Sequence, residues 1–169
     1  MKKRISKLIR VIRKSWYTWK VARKCKRVGT GLAVNGKTSI HVELFLGNNV
    51  NFNGMNIAGP GMVTIGNNFH SGIECMMITQ VHNYDCGNAI PYDNTYITKP
   101  IIIEDNVWLG NRVMVLAGVT IGEGAIIQAG SVVVSDIPRF AIAGGHPAKV
   151  FKYRDINHYE KLKNEGKFH

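Results

Sequence analysis

The chain is 169 residues long, 45% hydrophobic and 20% charged, with a formal net charge of +11. That length fits one domain with a sizeable core, and the balance of apolar and charged residues excludes a globally disordered chain. The cysteines, Cys25, Cys75 and Cys86, are odd in number and form no C-x-x-C pair, which argues against a disulfide framework and a thiolate zinc site and points to a reducing cytoplasm.

Residues 1–27 hold 12 of the 22 Lys+Arg and none of the 11 Asp+Glu, which leaves 10 basic against 11 acidic residues in the remainder. Basicity is thus a property of one segment, and any anionic partner belongs to that segment. Its spacing predicts an amphipathic helix: Ile5, Leu8, Ile9, Ile12, Trp16 and Trp19 fall on one face, while Lys7, Arg10, Arg13, Lys14 and Lys20 lie mostly on others. Two readings stay open for this stripe. It attaches the chain peripherally to an anionic membrane, or it caps the open end of a repeat fold or packs on a neighbouring subunit. Nucleic acid is not expected as a partner, because no aromatic platform for bases accompanies the charge. The longest uncharged stretch here, Ser15–Trp19, is too short for a secretory core of ~7–15 apolar residues or a membrane span of ~20.

Beyond residue 28 apolar residues recur at every sixth position. Val34, Ile40, Leu46 and Phe52 form one series; after a slip of one residue, Ile65, Ser71 and Met77 form another, with Phe69, Cys75 and Val81 as inner partners. Residues 83–96, with Gly87 and Pro91, break the frame and read as a loop leaving a regular scaffold. The frame then runs through Ile97, Ile103, Leu109, Val115, Ile121, Ile127 and Val133, with a small or β-branched series at Val107, Val113, Val119, Ala125 and Ser131. Gly110 and Gly122 follow aliphatic positions, where a tight corner needs a residue without Cβ.

A period of six matches neither the alternation of an ordinary strand nor the helical 3.6. It describes a short strand and a turn, repeated, with two inward positions per unit, so that stacked units share one continuous apolar column. A β-sandwich fits less well, since its strands come at ~8–12-residue spacing and alternate by two. The expected organisation is a basic N-terminal helix over 1–27, a β-helix domain over 28–154 with the excursion loop 83–96, and a helical tail over 155–169.

Within this frame stand Ile103-Glu-Asp-Asn-Val-Trp-Leu-Gly110, Gly118-Val-Thr-Ile-Gly122, Ala129-Gly-Ser-Val132 and Gly145-His-Pro-Ala-Lys-Val150. On these motifs the chain resembles the hexapeptide-repeat acyltransferases, and among them the galactoside, maltose and bacterial polysaccharide O-acetyltransferases, from about Val34 to Arg154. The resemblance implies an all-β fold, a left-handed parallel β-helix of triangular coils with three hexapeptides each. It also implies acetyl-CoA as co-substrate and a homotrimer with active sites between subunits.

Acetyl transfer to a hydroxyl needs a base for the hydroxyl proton, and histidine is the side chain suited to this near neutral pH. His82, in Gln80-Val-His-Asn83, ends the last regular unit before the excursion, and its spacing from Gly66 in Val63-Thr-Ile-Gly66 resembles that of the family's catalytic histidine. His41 and His70 are expected on the solvated surface, as are His158 and His169 in the tail, and His146 stands where the family usually has Asn or a small residue. The zinc-dependent β-helix carbonic anhydrases use three histidines, two of them close in sequence; the repeats here hold no such pair, so no catalytic metal is expected. Cys86 would allow an acetyl-cysteine, whereas the resemblance implies direct transfer in a ternary complex.

For the donor, the resemblance places Trp108, Asn111 and Ala129 along the acetyl-CoA cleft and Lys149 and Lys152 near its phosphates, while Val134-Ser-Asp136 replaces the Thr-Lys-Asp of many relatives. For the acceptor, Asn51 in Asn51-Phe-Asn53 matches a sugar-contacting residue. Ala58-Gly-Pro-Gly61, however, lacks the acidic residue such relatives can use, which points to another acceptor than free galactoside or maltose. The reading is O-acetylation of a sugar hydroxyl in bacterial surface polysaccharide synthesis, in the cytoplasm or at the inner face of its membrane. Acetylation of a xenobiotic or an amino sugar, and a non-catalytic β-helix scaffold, are the alternatives.

Overall fold

Each six-residue unit folds as a short strand closed by a corner, and the corners turn the chain through three faces in succession. In the computed structural model, which describes residues 2–169 and side chains from residue 6 onward except Lys7, these units stack into a β-solenoid of about 6 turns. The side chains of Ile5, from the predicted stripe, and of Lys7, from the basic faces, therefore lie outside the described residues. The first face carries Ala33–Val34, Asn51–Phe52, His70–Ser71, Trp108–Leu109, Ile126–Ile127 and Ala141–Gly145, all parallel, and is closed by the antiparallel return strand Ala148–Tyr153. The second carries Ser39–Ile40, Met55–Ala58, Cys75–Ile78, Met114–Val115 and Val132–Val133; the third carries Glu43–Leu46, Met62–Ile65, Ile101–Ile103 and Thr120–Ile121.

The registers put the predicted series into vertical columns. Leu46 pairs with Ile65, Ile65 with Ile103 and Ile103 with Ile121 on the third face, while Leu109 pairs with Ile127 and Met77 with Val115 on the other two. All are buried, as are the inner partners Val107, Val113, Val119, Ala125 and Ser131. Ser131, the polar member, is satisfied by donating to the Gln128 carbonyl at 2.7 Å and accepting from the Gly145 amide.

Two positions leave the expected column. Gln80–His82 pairs antiparallel with Tyr96–Thr98, so Val81 and Ile97 sit on the arms of a hairpin outside the prism, 44% and 37% exposed. Ile97 meets the six-residue spacing to Ile103 by coincidence, and the column resumes at Ile101. The slip before Ile65 is absorbed at the corner Gly59–Gly61: Ile57 faces inward, and a Cβ on Gly59 (φ +105) would meet Thr79 Oγ1 at 2.3 Å. Thr79 is fully buried there because its hydroxyl accepts from the Gly61 amide and donates to the Ala58 carbonyl.

The corners between third and first faces carry a side-chain ladder. Asn49, Asn68 and Asn106 all have positive φ (54, 54 and 61), a conformation asparagine tolerates better than other side chains with a Cβ. Asn49 Nδ2 donates to Asn68 Oδ1 at 3.1 Å, Asn68 Nδ2 to Asn106 Oδ1 at 2.8 Å, and Asn106 Nδ2 to the Tyr159 hydroxyl at 2.7 Å. In the next coil Gly124 takes this corner, and a Cβ there would come 2.9 Å from the Tyr159 ring. The ladder thus ends on the C-terminal helix. Helix α1 (Lys2–Ala22) closes the other end: Val21 is buried, Tyr17 packs on the core, and the Val34 amide donates to Thr18 Oγ1 at 3.0 Å.

The column sets a contrast between two isoleucines of the same predicted series. Ile121→Ala should cost ~2–5 kcal/mol in chemical denaturation, because it opens a cavity in a packed column. Ile97→Ala should cost no more than about 1 kcal/mol, as for an exposed site. Equal losses would show that both residues belong to the core.

Candidate active site

His82 stands on the hairpin that leaves the corner between the second and third faces, in the last pair before its loop and opposite Tyr96 in register. Its ring stacks on Tyr92 with centroids 3.7 Å apart and planes at 19°, and lies against Tyr96 at 4.4 Å and 36°. Two aromatic contacts fix a ring that no inner-column packing holds. Nδ1 is buried with no hydrogen-bond partner among the described residues. A buried polar nitrogen left unpaired is costly, so this atom sets His82 apart from the satisfied polar groups of the coils. The hairpin tip is braced by Asp93, which accepts from the amides of Asn88 and Thr95 and from the Thr95 hydroxyl. Cys86 is exposed on that tip, its amide bonded to Asn83 Oδ1.

The residues expected along the donor cleft divide into two groups. Asn111 and Ala129 share the corner between first and second faces in adjacent coils, where the Gly130 amide donates to the Asn111 carbonyl at 2.8 Å. Asn111 Oδ1 accepts from the Ile73 amide, so its side chain also closes that corner. Ala129 is exposed. Lys149 pairs with Gly144 on the return strand, near the same corner.

Trp108 and Lys152 instead face a cavity of about 730 Å³ between the first face and the C-terminal helix α2 (Ile156–Asn164). Lys163, Lys167 and His158 bring further basic groups to it, and His70 lines its floor. His82 is not among the lining residues. The surface assignment of His70 needs correction: its ring stacks on His169 at 5.2 Å, its Nε2 lies 3.3 Å from the His169 carbonyl, and burial lowers its pKa. The tail reaches back over the first face, which residue spacing does not reveal. Asn51 lies on the first face near the N-terminal end, its Oδ1 accepting from Asn35 Nδ2 at 2.9 Å; the same amide donates to Asn53 Oδ1.

One wall of the cavity depends on Glu123, which accepts from Tyr159, Lys163 and Arg139. Burial works to raise this carboxyl, but the three donors outweigh it and hold it below the ordinary range. Burial pushes the Tyr159 phenol up to about 12; Glu123 adds to this, while Asn106 and Arg154 pull the other way. Among the described residues no three His, Cys, Asp or Glu side chains cluster as a metal site would need.

Residues 100–135 match the family model described as bacterial transferase hexapeptide (six repeats). A Schizosaccharomyces pombe protein named as a candidate acetyltransferase is 45% identical over 91 residues, covering 52% of this chain and 42% of the yeast protein. The chain therefore spans less than half of that relative's length. A galactoside acetyltransferase in complex with coenzyme A is similar in structure with a TM-score of 0.71 and 28% identity, over 82% of this chain and 70% of that one. A hexapeptide-repeat acetyltransferase of Vibrio cholerae is 30% identical over 76% of this chain and 71% of its own, with a TM-score of 0.54. Its complex with acetyl-CoA gives 0.62 at 28% identity, over 78% and 73%.

The raised Tyr159 phenol predicts a pH dependence. Stability from this group is fully present below its ordinary pKa near 10 and is lost as pH rises through about 12. Tyr159→Phe should remove that alkaline loss and cost ~1–3 kcal/mol at neutral pH, since Asn106 and Glu123 lose their partner. Urea denaturation at neutral and alkaline pH checks both; a variant with the parent's alkaline profile would separate Tyr159 from the effect.

Proposed function

Because the chain belongs to the hexapeptide-repeat acyltransferase family, we propose that it moves an acetyl group from acetyl-CoA to a sugar hydroxyl, in a bacterial surface polysaccharide or its precursor. The observation that carries this reading is the state of His82: a histidine clamped by Tyr92 and Tyr96 in the last pair before the hairpin loop, with Nδ1 buried. In the tautomer with hydrogen on Nδ1, Nε2 presents its lone pair outward. His82 Nε2 takes the acceptor hydroxyl proton as that oxygen bonds to the thioester carbonyl carbon. The carbon–sulfur bond then breaks, and the imidazolium proton passes to the departing sulfur, which leaves as coenzyme A with the base restored.

The divided site supports a homotrimer. His82 and the Asn111–Ala129 pair leave different corners of one rigid prism, so the base of one subunit needs the donor groove of a neighbour. Lys149 and Lys152 hold donor phosphates in this reading, and Trp108 and the basic groups around its cavity support a place for the donor on that half of the chain. The Asn35–Asn51–Asn53 amide cluster, with Asn51 as the acceptor-binding residue, suits a neutral, hydroxyl-rich acceptor. Acetyl-CoA confines the reaction to the cytoplasm, where the acceptor is met in solution or at the inner membrane face.

Acetyl-CoA-dependent thiol release across a panel of sugar and glycan acceptors tests the activity. His82→Ala should keep the fold and donor binding but lower kcat by ~10²–10⁴, the usual worth of a positioned base, while Cys86→Ser changes little. A folded His82→Ala protein that retains more than about a tenth of parental turnover sinks the mechanism.

Replacing Lys149 and Lys152 together by Ala should raise the KM for acetyl-CoA much more than it lowers kcat, because phosphate contacts hold ground and transition states alike. An unchanged donor KM would remove both lysines from the site.

A further inference from the structure

Helix α1 has one side that the chain uses and one that it does not. Val21 is 2% exposed, Tyr17 packs on the core and Thr18 accepts the Val34 amide, so these residues define the side facing the solenoid. At about 100° per residue, Leu8, Ile9, Ile12, Trp16 and Trp19 point to the opposite side. They are 60%, 50%, 58%, 52% and 54% exposed. The cap is therefore made by one face and the apolar stripe by the other: the stripe faces away from its own chain.

Charge identifies what would cover it. The helix carries 8 basic residues and no acidic one over Lys2–Ala22. Cations border the stripe, with Lys20 Nζ 5.1 Å from the Trp16 ring centroid and Arg23 Cζ 4.9 Å from that of Trp19. Half-exposed tryptophans flanked by cations suit a boundary between apolar chains and anionic headgroups. The chain outside residues 1–27 holds 10 basic against 11 acidic residues and is close to neutral, so a second copy brings no net negative charge to this basic helix. No helix among the described residues is long and apolar enough to cross a membrane, so α1 would lie on the surface.

We propose that α1 docks the protein on a membrane of anionic phospholipid. The stripe Leu8–Ile9–Ile12–Trp16–Trp19 enters the headgroup region, the basic side chains neutralise lipid phosphates, and Tyr17, Thr18 and Val21 tie the solenoid to the bound helix. This surface is argued from α1 alone and does not depend on the acetyl-transfer chemistry.

The full chain should co-sediment with vesicles of phosphatidylglycerol and phosphatidylcholine, bind pure phosphatidylcholine poorly, and detach from the anionic vesicles as salt rises. Ile12→Asp with Trp16→Asp should lower partitioning at least about tenfold, since two apolar anchors become anions. Its melting temperature should match the parent's, because neither side chain touches the core. A full chain that ignores anionic vesicles, or a folded variant that binds them as well as the parent, overturns the proposal. So does a variant whose only change is a lower oligomer mass, which assigns the stripe to a second copy of the chain.

Discussion

The backbone hydrogen bonds between stacked coils govern what every other residue can be. The Gly66 amide donates to the Ile103 carbonyl at 2.8 Å and the Glu104 amide to the Ile121 carbonyl at 2.9 Å, and such pairs repeat around the faces. Coils held at strand spacing leave almost no room where the chain turns. A Cβ on Gly66 would meet Asp105 Oδ1 at 2.2 Å, and one on Gly110 would meet the Ala129 amide nitrogen at 2.5 Å. Corners therefore take glycine where coils touch, or asparagine where a side-chain amide can join the ladder. Inside, the same stacking puts aliphatic residues directly over one another, and one-dimensional repetition makes the core continuous.

That rigidity shapes the chemistry. A prism of paired coils offers few places for a side chain to approach a reacting group except where the chain departs from it. The departure at Gln80–Thr98 supplies His82 and the tyrosines that orient it. The return strand and α2 supply the basic cavity beside Trp108. His82 stands beyond the corner between the second and third faces and the basic cavity lies over the first face, so the paired coils hold the two features apart.

The two ends of the solenoid meet the problem common to repeat folds, an exposed terminal rung. At the C-terminal end the Asn ladder, Tyr159 and Glu123 tie α2 to the last coils through hydrogen bonds and ion pairs. At the N-terminal end α1 uses a narrow apolar contact and one hydroxyl, and so leaves its tryptophan stripe outward.

The six-residue period was readable from sequence because each unit repeats the same local event: an inward aliphatic, a small partner and a turn. That was enough for the fold class and for most of the columns, whereas the chain leaves the scaffold at Gln80, before the break in the period at residue 83. Family motifs added the candidate site residues. What period alone could not settle were the outcomes that depend on residues far apart in the chain. Val81 and Ile97 fit the frame yet lie outside, because they pair with each other across the hairpin. Asn68 and Asn106 are 38 residues apart, so the excursion hides their ladder from any fixed spacing. His70 looks solvent-facing until the tail folds over it. The amphipathic character of α1 was written in its residue order, whereas the direction of its stripe was decided when Tyr17, Thr18 and Val21 met the first coil. Periodicity reports which residues share a side; only packing determines what that side faces.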